Sequence, residues 1–277
     1  MRILRDILVL GIAAFFAVMW GLMLRKKMVL APAQPVRPNY DRLLGPEEDS
    51  RTITFGIYRG ASRLGRTRTT MRRQNGALQL QSDTRFELGD LVKFMAPDAQ
   101  NLEITFSAHI SPLSGLRYMR VNCPQLDVSL RGFVQEEQLQ VQGRVGGQKV
   151  SHSVPYRKQP FVGETLSPMS GLPDLNRASP DEVWTMHVVN PLLGSVQEVR
   201  VTLIRTREVE VGEKTIRVHE LGFRGAGRSW GACVMGDGDV LVQGTPFGLT
   251  LRREDISPQL RAFVRRECLS GGAAGRR

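Results

Sequence analysis

From residue 51 to residue 253, apolar side chains recur at every second position in short runs separated by turn-forming residues. A strand points successive side chains to opposite faces, so the pattern is that of half-buried strands and leaves no room for long helices in the same stretch. Ile53, Phe55 and Ile57 alternate with Thr52, Thr54 and Gly56, and Leu102, Ile104 and Phe106 repeat the pattern. Leu139 and Val141 follow, then Val199, Val201 and Leu203, then Ile216 and Val218. Asn75-Gly76 and Gly146-Gly147 mark tight hairpins, because a type I′ turn needs positive φ at both central residues. The count predicted is about eleven to thirteen strands, at the spacing of an antiparallel sandwich or barrel.

Two helices interrupt this plan, one at each end. Residues 7–24 are 18 consecutive uncharged and mostly apolar positions, flanked by Arg2 and Arg5 on one side and by Arg25, Lys26 and Lys27 on the other. A helix of that length spans about 27 Å, close to the hydrocarbon thickness of a bilayer. The expectation is an uncleaved membrane anchor; a cleaved signal peptide would need a shorter core and a small-residue cleavage site. At the other end Ser257-Pro258 is a helix start, with proline at the first helical position and Leu260, Phe263 and Val264 as the apolar stripe. The fold class expected is therefore mainly β. A single N-terminal transmembrane helix (1–27) precedes a proline-rich linker (28–50) acting as a spacer. A curved antiparallel sheet (51–256), forming an open β-barrel or sandwich, is followed by a short C-terminal helix (257–268) and a disordered tail (269–277). Residues 160–181, rich in Pro, Ser and Gly, read as a crossing segment with a helical turn over 168–175.

Charge limits the partners. The 277 residues carry 38 Lys and Arg against 27 Asp and Glu, a net charge of +11 that favours anionic surfaces. Only six of the basic residues are Lys, and an arginine bias of the genome could produce part of the excess. Arg59, Arg63, Arg66, Arg68, Arg72 and Arg73 fall close together with no acid among them, and Arg66, Arg68 and Arg72 share one strand face. Guanidinium forks bind phosphate bidentately, so this face is either a contact for anionic headgroups or a solvated strand. Nucleic acid is not expected, because aromatics to stack on are scarce in this stretch.

A catalytic constellation is missing from the sequence. His109, His152, His187 and His219 lie on four separate predicted strands, with no pair at a metal-ligand spacing. Residues 60–64 lack the second glycine of a nucleophile elbow, and Asp237 and Asp239 read as a hairpin turn. Cys123, Cys233 and Cys268 are compatible with one disulfide and a spare thiol or with three buried thiols. No enzyme, metal or cofactor is expected. A curved sheet that does not close leaves a trough lined by alternate side chains. Phe55, Ile57, Leu80, Phe86, Phe106, Tyr118 and Trp184 are the candidates for that lining, and each is more simply read as core.

The punctuation of the body also resembles a known family. The residues are Tyr58, Gly60 and Gly65 in the first hairpin, Trp184 with Asn190-Pro191 and Gly194, and Gly227 with Trp230. Gly238, Val240 and Leu241 follow, then the string Phe-Gly-Leu-Thr-Leu-Arg-Arg-Glu at 247–254. In these the chain resembles the bacterial envelope β-domains related to the DUF3108 group, often encoded beside transglutaminase-like proteins. The resemblance implies a lipoprotein-carrier-like curved sheet outside the cytoplasm and no defined activity. The functional expectation is a single-pass inner-membrane protein whose body faces the periplasm and binds a membrane lipid, acyl chain or envelope component without catalysis. Arg66, Arg68 and Arg72 would meet the headgroup, and Phe55, Ile57, Phe106, Tyr118 and Trp184 the apolar part. The alternative is a structural or assembly subunit of a membrane complex, partnered by a transglutaminase-like or other envelope membrane protein, with Gly11, Ala14 and Gly21 permitting close helix approach.

Overall fold

The alternating runs become strands in the computed structural model. It describes residues 34–35, 43–44, 47–87, 101–111, 115–156, 175, 178, 182–190, 195–225, 227–246 and 248–268. The chain divides into two units, residues 1–34 and 35–277, and all that follows concerns the second. The apolar run 7–24, the helical turn expected over 168–175 (Leu175 apart) and the tail 269–277 lie outside the described residues. Among the described residues no helix is long and apolar enough to cross a membrane.

Eight strands form a first meander: β1 (Ser50–Arg59), β2 (Ser62–Gln74), β3 (Ala77–Glu87), β4 (Asn101–Ser111), β5 (Gly115–Cys123), β6 (Val128–Gln135), β7 (Gln138–Val145) and β8 (Gln148–Pro155). Six form a second: β9 (Val183–Asn190), β10 (Ser195–Val211), β11 (Lys214–Gly225), β12 (Arg228–Met235), β13 (Val240–Gly244) and β14 (Thr250–Arg253). Within each meander every strand pairs antiparallel with the next. The two are joined where β14 pairs with β1, Leu251 opposite Ile57, so the sheet runs β9 to β14 and then β1 to β8. Fourteen strands of four residues or more are thus described, against the eleven to thirteen expected.

Alternation decides what lies inside. Along β3, Leu78, Leu80, Ser82, Thr84 and Phe86 are buried while Gln81, Asp83 and Arg85 are exposed. The sheet curls, because Val150 and Val154 of β8 and Trp184, Met186 and Val188 of β9 all pack in one core with Phe55, Ile57 and Leu130. Leu44, within the proline-rich stretch expected to be a spacer, is also buried there. Tyr156, just after β8, is buried and its hydroxyl accepts a 2.6 Å hydrogen bond from the backbone N–H of Leu116. Burial pushes that phenol up to about 12 against the smaller opposing effect of the hydrogen bond.

Turn chemistry follows the sequence in two hairpins and departs from it in a third. Asn75 and Gly76 have φ of 51° and 72°, and Gly146 and Gly147 of 57° and 79°, as a type I′ turn requires. The β6–β7 turn reaches the same left-handed region with Glu136 and Glu137, at 50° and 57°, where no glycine signals it. At Gly65 the requirement is space: a Cβ would lie 2.1 Å from the carbonyl oxygen of Arg85, so β2 and β3 approach too closely there for any side chain.

The seam between the meanders is clamped by charge. Asp239 leaves the β12–β13 turn buried, and its carboxylate accepts from Arg253 at 2.9 Å and from both terminal nitrogens of Arg51. Arg253 also reaches Asp255 at 3.3 Å. Burial alone would raise the Asp239 carboxyl, but the hydrogen bonds and charges of Arg253 and Arg51 outweigh it and hold the group below its ordinary value. The C-terminal helix α1 (Pro258–Phe263) starts as expected, with Ser257 Oγ accepting from Leu260 N at 3.3 Å. It widens into a π turn over Val264–Cys268, and Leu260, Phe263 and Val264 seal the outer face of β11–β13 around Val218, Cys233, Leu241 and Val242.

Two outcomes are expected. Asp239→Asn leaves Arg253 buried beside a neutral amide and lowers stability by about 3 kcal/mol at neutral pH. Because the folded-state carboxyl is depressed, its contribution is complete above the ordinary value of 3.8 and is lost as pH falls through the lower folded-state value, so urea melts of the two proteins converge in acid. The double variant Glu136→Asn/Glu137→Gly relieves the left-handed strain and raises stability by about 1 kcal/mol, read by thermal melting.

Candidate functional site

Around Phe55 and Ile57 the described interior is apolar packing. Phe55 and Ile57 are 2% and 0% exposed, shut in by other core side chains, and Leu80, Phe86, Phe106 and Trp184 are buried beside them. One buried polar feature is a cluster of hydroxyls on β2 and β3. Thr84 Oγ1 donates to Thr67 Oγ1 at 2.8 Å, Thr69 Oγ1 donates to Ser82 Oγ at 3.1 Å, and Thr67 and Ser82 lie 3.1 Å apart. These four buried groups satisfy one another, as buried hydroxyls must. Tyr118 is a correction to the expected lining: it stands opposite Phe133 on the outer face, half-buried, and its neighbours Met119 and Val121 take the inner positions. A bulge beside Ile110 sets the phase of β5, which the alternation of Tyr118 with Met119 alone does not assign to a face.

The histidines remain apart, on β4, β8, β9 and β11. His109 packs edge-on against Tyr118 at 6.1 Å, His187 Nε2 lies 3.9 Å from Glu198, and His219 Nδ1 lies 2.9 Å from the Thr206 hydroxyl. Among the described residues no group of three His, Cys, Asp or Glu could hold a metal ion. Cys123 is buried within β5, and burial pushes its thiol up. Cys233 of β12 and Cys268 at the end of the π turn meet in the apolar cluster under α1. The adjacent Cys268 thiol, first, and burial, second, push the Cys233 thiol far above its ordinary value, so it is a neutral thiol at physiological pH.

Charge gathers on the outside. Arg66, Arg68 and Arg72 project from the outer face of β2 and form no ion pair among the described residues. Thr67, Thr69 and Met71 point inward between them. Arg63, from the same sequence cluster, is diverted to Glu254 at 3.0 Å. Arg85 on β3 pairs with Glu103 on β4 at 3.7 Å. Beyond β4 the outer face continues through Arg120, Arg131, Arg144 and Lys149, one on each of β5 to β8 and none in an ion pair among the described residues. Arg120 is opposite Arg131, and Arg144 is opposite Lys149. A shallow groove of about 860 Å³ runs over this face, lined by Tyr118, Arg131, Phe133, Gln142, Arg144 and Lys149 among others.

Reading the sequence alone found the β2 cations, because they alternate within one strand. It missed those of β5–β8, which become neighbours only through cross-strand register. The turns at Pro124–Asp127, Glu136-Glu137 and Gly146-Gly147 fix that register, and all three must be placed to align the four cations.

A second, smaller hollow of about 270 Å³ lies on the outer face of β11–β13. Gly231, Gly244 and Gly248 contribute to its lining, and Ile204, 55% exposed, stands at its rim.

The state of Cys233 has a chemical readout. Brief iodoacetamide treatment of the native chain near neutral pH should leave Cys233 unmodified by mass spectrometry, and denaturant should open it to alkylation.

No family model matches the chain, and no curated protein or solved structure matches it either.

Proposed function

We propose that the protein is a membrane-anchored, extracytoplasmic β-domain that binds an anionic envelope component and performs no catalysis. The observation that carries this reading is the outer face of β2, where Arg66, Arg68 and Arg72 stand exposed on one face without ion-pair partners among the described residues. Guanidinium groups left unpaired in this way are available for the phosphates of lipid headgroups, which accept paired N–H bonds. The apolar run 7–24 and the resemblance to envelope β-domains support the location at the inner membrane, with the body on its periplasmic side. An acyl chain would have to enter among Phe55, Ile57, Phe106 and Trp184, where the domain's own side chains already pack, so the headgroup is the part recognised.

The alternative, a structural or assembly subunit of a membrane complex, is favoured by one feature. The hollow beside α1 has an exposed Ile204 at its rim and glycines in its lining, a surface suited to an apolar side chain from a partner such as a transglutaminase-like envelope protein.

Vesicle flotation tests the main reading. The full chain in neutral detergent, reconstituted with and without phosphatidylglycerol, should be compared with Arg66→Glu/Arg68→Glu. The body of the unaltered protein should protect anionic headgroups or bind added anionic vesicles, and the double variant should lose about tenfold in that binding. Equal binding by the two proteins would remove the β2 face from the function.

A further inference from the structure

We infer that the outer face of β5–β8 is a binding site for an anionic polysaccharide. The inference deepens the reading above, that this is a binding domain for anionic envelope material, by assigning it a second face and a ligand class.

Cross-strand register arranges the site in three rows. In one, Tyr118 stands opposite Phe133, followed by Gln140 and Ser153. In the next, Arg120 stands opposite Arg131, followed by Gln142 and Ser151. In the third, Asn122 and Ser129 lead to Arg144 and Lys149. The cations therefore run diagonally across four strands, and neighbouring strands lie about 4.8 Å apart, so the positive track extends over roughly 14 Å. None of the residues in these rows is a carboxylate. Like-charged pairs directly opposite one another are unfavourable in an empty sheet. Two such pairs side by side are repulsion that an anion on the face would relieve.

The chemistry between the cations selects the ligand class. The half-buried rings of Tyr118 and Phe133, directly opposite across one strand pair, supply the one aromatic platform of these rows. Arg120 Nε donates to the Tyr118 hydroxyl at 3.2 Å and His109 packs on the ring, so the platform is held in place. The rest of the face is amide and hydroxyl: Asn122, Ser129, Gln140, Gln142, Ser151 and Ser153. Each of these side chains both donates and accepts, which matches the vicinal hydroxyls of a sugar ring. A pyranose lays its C–H face on an aromatic ring while its carboxylate or phosphate meets a guanidinium. Single-stranded nucleic acid would need a succession of stacking platforms along the track, and the face has one. A lipid bilayer would need protruding apolar tips, whereas these rings line a groove.

The test is titration calorimetry of the full chain in neutral detergent with an oligogalacturonate, whose pyranose units each carry a carboxylate. Neutral dextran, polyacrylate, oligo-dT and phosphatidylglycerol vesicles serve as the comparison probes. Binding of the oligogalacturonate in preference to dextran, polyacrylate and oligo-dT is expected. Arg131→Glu/Lys149→Glu should weaken it by about tenfold or more, and added salt should weaken it further. Phe133→Ser should weaken it severalfold while leaving polyacrylate binding unchanged, a readout that separates the platform from simple ion exchange. Arg66→Glu/Arg68→Glu should leave it intact. Equal affinity for polyacrylate, tighter binding of oligo-dT, or no loss in Arg131→Glu/Lys149→Glu with retained thermal stability would each overturn the assignment. Should vesicle binding persist while oligogalacturonate fails, this inference falls alone; should both fail, the binding-domain reading falls with it.

Discussion

The buried carboxylate of Asp239 holds together two strands that the chain makes at opposite ends of the body. Arg51 opens β1 and Arg253 closes β14, and both guanidinium groups converge on that one group. The pairing they clamp is short, four residues of β14 against β1, yet among the described residues it is the one strand pairing between the meander of β1–β8 and that of β9–β14. Further bonds reinforce it: Glu254 N–H reaches the Thr54 carbonyl at 2.8 Å, and the Arg252 guanidinium lies 4.1 Å over the Tyr58 ring. Separating the strands would take Arg51 away from Asp239 and break a partly buried ion pair along with the ladder of four backbone pairs.

With the seam closed, period-two alternation divides the labour between two faces. The inner face takes most of the apolar residues, the self-satisfied hydroxyls of β2 and β3 and the paired charges of the Asp239 clamp, and the outer face takes most of the remaining charge. Places on the outer face differ in how that charge is treated. On β10 and β11, Arg205 and Arg207 are neutralised: they share Glu220 at 2.7 and 3.3 Å, Arg207 also meets Glu267 at 2.7 Å, and α1 covers the strands alongside. Arg66, Arg68 and Arg72 on β2 and Arg120, Arg131, Arg144 and Lys149 on β5–β8 have no ion-pair partner among the described residues. Arginines on the outer face thus serve as structural pairs beside α1 and stand open to a ligand at these positions.

Much of this was legible in the sequence, and what was not has a physical reason. Strand existence, the Asn75-Gly76 and Gly146-Gly147 turns, the Ser257 cap and the stripe Leu260, Phe263 and Val264 are local properties, fixed by periodicity or by one residue's conformational freedom. The Glu136-Glu137 turn was hidden because its residues are forced into the left-handed region by the strands on either side rather than by their own preference. The Asp239–Arg51 contact spans 188 residues, and no local pattern reports it. The string at 247–254, the most specific sequence mark of the body, contains β14, so its conspicuous residues serve the seam. Tyr118 went to the wrong face because one bulge beside Ile110 resets the phase of its strand.

The seam has a consequence for biogenesis. β1 emerges from the ribosome early, and β14 only when the body is almost complete, so one flank of the first meander waits without its neighbour throughout synthesis. Such non-local closure is slow and leaves a sticky strand available to the wrong partner. The tyrosine, glycine and arginine side of β1 is then an exposed ribbon in search of a mate. A nascent chain of this topology has reason to depend on a holding chaperone until its last strand arrives, and its yield should be governed by how fast the ends meet rather than by how stable the finished sheet becomes.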